Sequence, residues 1–67
     1  MPLASRIEDA LAPLTEREQE VLRLRFGFSG EREYTLAEVG RKLGLSRERV
    51  RQIEARAVAR LRRLQAA

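Results

Sequence analysis

Residues 34–53 read YTLAEVGRKLGLSRERVRQI, and the way this stretch folds decides the architecture of the chain. Thr35 and Glu38 have the Thr-x-x-Glu spacing of a capping box. In that box the threonine oxygen takes the amide three residues on, and the glutamate reaches back to the cap amide. Tyr34 before the cap and Val39 inside the first turns are spaced as a hydrophobic staple. The helix that starts here is short, because Gly44 offers the left-handed conformation in which helices end. Ser46 then caps a further helix, and Leu45 and Val50 repeat the staple spacing. Gly40 is small where the second helix of the pair crosses the first, and Gly44 makes the turn. Val39, Leu43, Leu45, Val50 and Ile53 fill the space between. A short helix, a glycine turn and a longer helix with these fillers predict a helix-turn-helix over about residues 36–55.

Two further helices are expected upstream. One covers roughly residues 3–11, with Leu3, Ile7, Ala10 and Leu11 at helical spacing. Pro13 disfavours helix at Ala12 and ends it. The next begins with a second capping box, Thr15 and Glu18, carries Val21, Leu22, Leu24 and Phe26, and stops at Gly27. The loop GFSGEREY joins it to the helix-turn-helix. The last helix is expected to run to about residue 64. The expected fold is therefore all-α, a small four-helix domain containing a helix-turn-helix, with residues 1–67 as one unit.

Composition narrows the function. A chain of 67 residues buries only about 60% of the surface its unfolded form exposes, so caps and packing matter more than usual. Cysteine and histidine are both absent. That removes disulfides, thiolate metal ligands, the commonest general base, and Ser/His or Cys/His catalysis. No enzyme activity, metal or cofactor is expected. The 14 Lys+Arg outnumber 10 Asp+Glu, giving a net charge of +4 and a pI near 11.0, which suits a polyanionic partner. Lys42 is the single lysine; the other cations are arginines, whose planar fork favours bidentate contacts. No apolar run resembles a membrane span or a signal peptide, so a cytoplasmic location is expected.

The last helix, placed on a wheel at about 100° per residue, separates into faces. Val50, Ile53, Ala57, Leu61 and Leu64 gather on one side. Arg47, Glu48, Arg51, Gln52 and Ala55 gather roughly opposite. The N-terminal part of a recognition helix is what reaches base edges in the major groove. Arginine forks onto guanine, glutamine onto adenine, and a carboxylate accepts from the cytosine amino group. A carboxylate inside a basic face repels phosphate, so Glu48 must either meet a base donor or be neutralised by an arginine neighbour. Two structural readings stand beside base reading: a first-turn carboxylate favours the helix dipole, and it can pair locally with Arg51 or Gln52. Glu54 flanks the apolar side and reads as a structural ion pair or a cap for a neighbouring segment. Arg56, Arg60 and Arg63 form a separate stripe, either solvated or facing a partner.

The string YTLAEVGRKLGLSRERVRQIEARAVARLRRL resembles region 4, the C-terminal DNA-binding domain of housekeeping-type bacterial sigma factors. LTEREQEVLRLRFGF resembles the first half of the same region. The similarity runs from about Leu14 to Leu64, and RERVRQIE is its most specific part. The resemblance implies recognition of the −35 promoter element. By position, Arg47, Glu48 and Gln52 match the family's base readers and Arg51 the phosphate contact beside them. Arg17 and Arg25 match backbone-contacting arginines, and Thr35 and Leu36 match a helix start whose amides face a phosphate, as helix N-termini favour. The resemblance further implies docking on the flap of the RNA polymerase β subunit, through an apolar groove drawing on Val21, Leu22, Leu24, Phe26 and Phe28. It implies an activator-facing surface at Arg56, Arg60 and Arg62, with Ala59 standing where a basic residue is common; an activator or anti-sigma protein is the partner this suggests. A whole sigma factor also carries regions that bind core enzyme and melt the promoter. These are not in this sequence, and RRLQAA lacks the family's usual further C-terminal segment, so an excised domain or a small stand-alone relative is expected.

Two other functions compete. A LuxR-type output domain shares LT-x-RE-x-x-VL, but usually joins its second and third helices by a shorter loop and lacks RERVRQIE. An interaction module would bind polymerase or a regulator by the apolar groove without reading DNA.

Overall fold

The computed structural model describes residues 9–28, 30 and 32–66. Residues 9–11 are helical, here α1, and are followed by α2 (Glu16–Phe26), α3 (Leu36–Leu43) and α4 (Arg47–Ala66). The described residues form no strand. The expected first helix is met only at its end; Leu3 and Ile7 lie outside the described residues. The end itself is as Pro13 dictates: a turn follows residue 11, closed by the Leu14 amide on the Leu11 carbonyl at 2.9 Å.

Both capping boxes form. Thr15 Oγ1 accepts from the Glu18 amide at 3.1 Å, and the Thr15 amide donates back to Glu18 Oε1 at 3.0 Å. At α3 the reciprocal distances for Thr35 and Glu38 are 3.1 and 2.9 Å. Ser46 caps α4, its Oγ accepting from the Arg49 amide at 3.0 Å. Gly27 and Gly44 take left-handed conformations at φ 69° and 71° and end α2 and α3. Helix α4 runs to Ala66, slightly past the expected end.

Helices α2 and α3 both pack against α4, over two apolar clusters. Leu11, Leu14, Leu22 and Ala57 form one, joined by Val58 and Leu61. Val21, Val39, Val50 and Ile53 form the other, with Leu24, Tyr34, Leu36, Leu43 and Leu45 against it. The neighbours Val21 and Leu22 thus serve different clusters, because successive helical residues diverge by about 100°. Tyr34 with Val39, and Leu45 with Val50, share the second cluster, as the staple spacing requires. One expected seam position departs: Leu61 is the last α4 residue to join a cluster, and Leu64 is 51% exposed.

The helix-turn-helix is tight at its corner. The Leu45 amide reaches the Gly40 carbonyl at 2.8 Å. A Cβ on Gly40 would lie 2.5 Å from the Leu45 carbonyl oxygen. Gly40 is therefore small because the turn backbone folds onto it, rather than because a helix crosses there.

Candidate nucleic-acid interface

The first turns of α4 present Arg47, Glu48, Arg51 and Gln52 to solvent, while Val50 and Ile53 between them are buried. The polar residues share a face because the apolar ones at i+3 spacing fix the rotation of the helix against α2 and α3. The Ser46 cap sets where that rotation begins.

Glu48 is neutralised within its own helix. Arg51 forks onto it, Nε to Oε1 at 2.8 Å and Nη2 to Oε2 at 2.6 Å. The Gln52 amide nitrogen donates to the same Oε2 at 3.4 Å. The Arg51 guanidinium holds the Glu48 carboxyl below the usual carboxylate range, with Gln52 and the Arg47 charge adding to the effect. This fork answers the problem that a carboxylate poses inside a basic face. A carboxylate offers about four lone-pair sites, so acceptor capacity remains beyond the arginine fork for a base amino group.

The residues matched to phosphate contacts fall into distinct environments. Arg17 is exposed at the start of α2, loosely paired with Glu20 at 3.3 Å. Thr35 is exposed at the start of α3 and Leu36 is half-buried behind it. Their capping box consumes the amides of Thr35 and Glu38, so the Leu36 and Ala37 amides are those the helix leaves over. Glu38 is itself offset by Arg32, whose Nη1 and Nη2 lie 3.2 and 3.1 Å from its two oxygens. That fork and the Thr35 amide pull the Glu38 pKa from 4.5 to about 2. Arg25 stands apart. Its Nε donates to Glu54 at 2.6 Å and its Nη1 to the Tyr34 carbonyl at 2.9 Å, tying α2 to α4 and to the entry of α3. Glu54 is thus the structural ion pair that its flanking position indicated. Arg51 is occupied by Glu48, so a phosphate would share it.

The apolar set splits cleanly. Val21 and Leu22 are 0% and 1% exposed and belong to the core. Leu24 is half-buried against the second cluster. Phe26 and Phe28 are outside, 46% and 38% exposed, with rings stacked at 5.7 Å and 23°. Arg25 lies 6.0 Å over the Phe26 ring. Arg56, Arg60 and Arg63 line a cleft of about 430 Å³ against the start of α2, which contributes Thr15, Arg17 and Glu18. Arg60 donates to the buried Glu18 at 3.4 Å. Arg62 is exposed but does not line this cleft.

Sequence reasoning passed over Arg49, which lines the cleft and bonds Gln52 at 3.4 Å; its i+3 spacing to Gln52 was the available signal. It also passed over the cations around Tyr34, with Arg32 at 4.1 Å and Lys42 at 5.5 Å from the ring centre.

The family model for sigma-70, region 4, matches residues 10–63. The chain is 60% identical over 57 residues to the RNA polymerase sigma factor SigA4 of Synechococcus elongatus, covering 85% of this chain and 18% of that protein. It is 57% identical over 60 residues to the sigma factor SigA of Listeria monocytogenes, covering 90% of this chain and 16% of that one. The chain therefore spans under a fifth of the length of these relatives. With the family model covering most of a helix-turn-helix fold whose α4 carries RERVRQIE, the chain belongs to the sigma-70 region 4 family.

Proposed function

We propose that this domain binds the −35 promoter element in transcription initiation while docked on the β flap of RNA polymerase, in the cytoplasm. The observation that carries the reading is the single exposed face formed by Arg47, Glu48, Arg51 and Gln52 on the first turns of α4. The N-terminal turns of α4 enter the major groove, where Arg47, Glu48 and Gln52 read bases. Arg51 contacts phosphate beside them. Arg17 and the free amides at Leu36, beside Thr35, hold the duplex in register from outside the groove. Arg25 combines a phosphate contact with its internal bonds.

The flap contact falls on Phe26 and Phe28, with Leu24 at their margin. Val21 and Leu22 support this surface from inside the core. The Arg56 and Arg60 stripe, with Arg62 on the adjoining face, takes an activator or anti-sigma protein. Isolated binding is weak, because one module of this kind buries about 600–1,000 Å²; tethering to polymerase raises the effective concentration.

Glu48→Ala tested against duplexes varied at each −35 position decides the base-reading assignment. The ranking of duplexes changes at the Glu48 position if the assignment holds; an unchanged ranking overturns it. Arg17→Ala weakens all duplexes alike and lowers the salt slope by about 0.9 per lost phosphate contact. A selective effect contradicts its backbone role.

A further inference from the structure

We infer that Arg49 is a positioning residue that fixes the orientation of the Gln52 side-chain amide and so sharpens what Gln52 reads. The inference rests on the base-reading role proposed above for Gln52.

Four side chains on the exposed start of α4 form a continuous hydrogen-bonded row. Arg51 forks onto Glu48. Gln52 Nε2 donates to Glu48 Oε2 at 3.4 Å, and Arg49 Nη1 donates to Gln52 Oε1 at 3.4 Å. The polarity of this row is chemically forced. An ionised carboxylate only accepts and a guanidinium only donates. The Gln52 amide therefore faces Glu48 with its nitrogen and Arg49 with its oxygen, and a flipped amide would lose both bonds.

The row leaves Gln52 half free. An amide nitrogen carries two hydrogens and its oxygen two lone pairs. One hydrogen is spent on Glu48 and one lone pair on Arg49. One hydrogen and one lone pair remain, and a donor with an acceptor is what glutamine offers to adenine N7 and N6. Arg49 can hold this position because its own backbone is pinned: its amide bonds the Ser46 cap at 3.0 Å. The residue also lines the cleft against α2.

Two measurements on the domain test this. In the free protein, the side-chain amide signals of Gln52 move toward those of a free glutamine in Arg49→Ala. Those of Gln19, whose amide bonds the Leu14 carbonyl at 3.1 Å, stay in place as a control. Against duplexes varied at each −35 position, Arg49→Ala loses roughly three- to tenfold of the discrimination at the base pair read by Gln52, part of what one bidentate contact carries. Discrimination elsewhere is retained. A uniform loss across all duplexes with a shallower salt slope would make Arg49 a phosphate contact and overturn the inference. So would an unmoved Gln52 signal. If Gln52→Ala itself leaves the ranking unchanged, the base-reading assignment of Gln52 falls, and the role of Arg49 falls with it; unchanged ranking in Arg49→Ala alone removes only the latter.

Discussion

Arg25 and Glu54 meet across 29 residues of sequence, Nε to Oε1 at 2.6 Å, with side chains 27% and 19% exposed. The same guanidinium bonds the Tyr34 carbonyl, and the Tyr34 amide bonds the Leu24 carbonyl at 2.9 Å. One ion pair therefore ties the C-terminal half of α2 and the start of the helix-turn-helix to the body of α4. Removing one partner of a fully buried pair costs about 3–5 kcal/mol. This pair is partly solvated, so Glu54→Gln should cost about 1–3 kcal/mol in urea denaturation. A change within error would show the pair to be dispensable.

The corner of the helix-turn-helix gives a sharper ranking. Gly44 adopts a left-handed backbone with open space around it, so Gly44→Ala should cost about 1–2 kcal/mol. Gly40 faces a carbonyl oxygen 2.5 Å from where a Cβ would stand. Backbone cannot give way as a flexible side chain does, so Gly40→Ala should cost more than Gly44→Ala, at least about 2–3 kcal/mol. Denaturation midpoints of the two variants test the order; the reverse order would mean that the turn yields readily.

Acid should weaken the fold through its capping carboxylate. Glu38 has its folded pKa depressed from 4.5 to about 2 by Arg32 and the Thr35 amide. A depressed carboxylate contributes stability that is fully present above the unfolded pKa and is lost as pH falls through the folded value. Glu48, lowered by Arg51, acts in the same sense. The melting temperature should therefore fall between about pH 5 and pH 2, and Glu38→Gln should flatten that limb. An equally steep limb in the variant would place the acid response elsewhere.

Phe26 and Leu22 should separate partner binding from packing. Leu22→Ala opens a cavity in the core, and such changes cost about 2–5 kcal/mol. That is a large fraction of the stability expected for a domain this small, at about 0.05–0.15 kcal/mol per residue. Phe26→Ala removes a half-exposed ring and should leave the urea midpoint nearly unchanged while weakening binding of a β-flap peptide. Tight peptide binding by Phe26→Ala would move the docking surface away from this ring.

The helix boundaries were legible in the sequence because their causes are local. Thr15 with Glu18, Thr35 with Glu38, Ser46, Gly27 and Gly44 act within one turn of where they stand. The polar face of α4 was legible for the same reason, since a rotation of 100° per residue needs no knowledge of neighbours. What sequence alone left open depends on distant partners. Val21 and Leu22 match a family groove yet lie in the core, because α2 is enclosed by residues 11–14, α3 and α4. Arg25 matches a phosphate contact by position, and its bonds to Glu54 and the Tyr34 carbonyl are visible only once the helices are packed. Leu64 continues the apolar seam on paper, but no cluster takes it in. Arg49 carries no signal of its own beyond its i+3 spacing to Gln52, and its bond to that amide depends on the side-chain conformations.

Val21 and Leu22 sit next to each other on α2 but face separate apolar clusters. The helix is thus a party wall between two rooms. Neither room can be emptied without disturbing the shared partition, so the helix-turn-helix corner and the cluster behind it are expected to melt in one transition, which coincident unfolding curves from probes in each room would check.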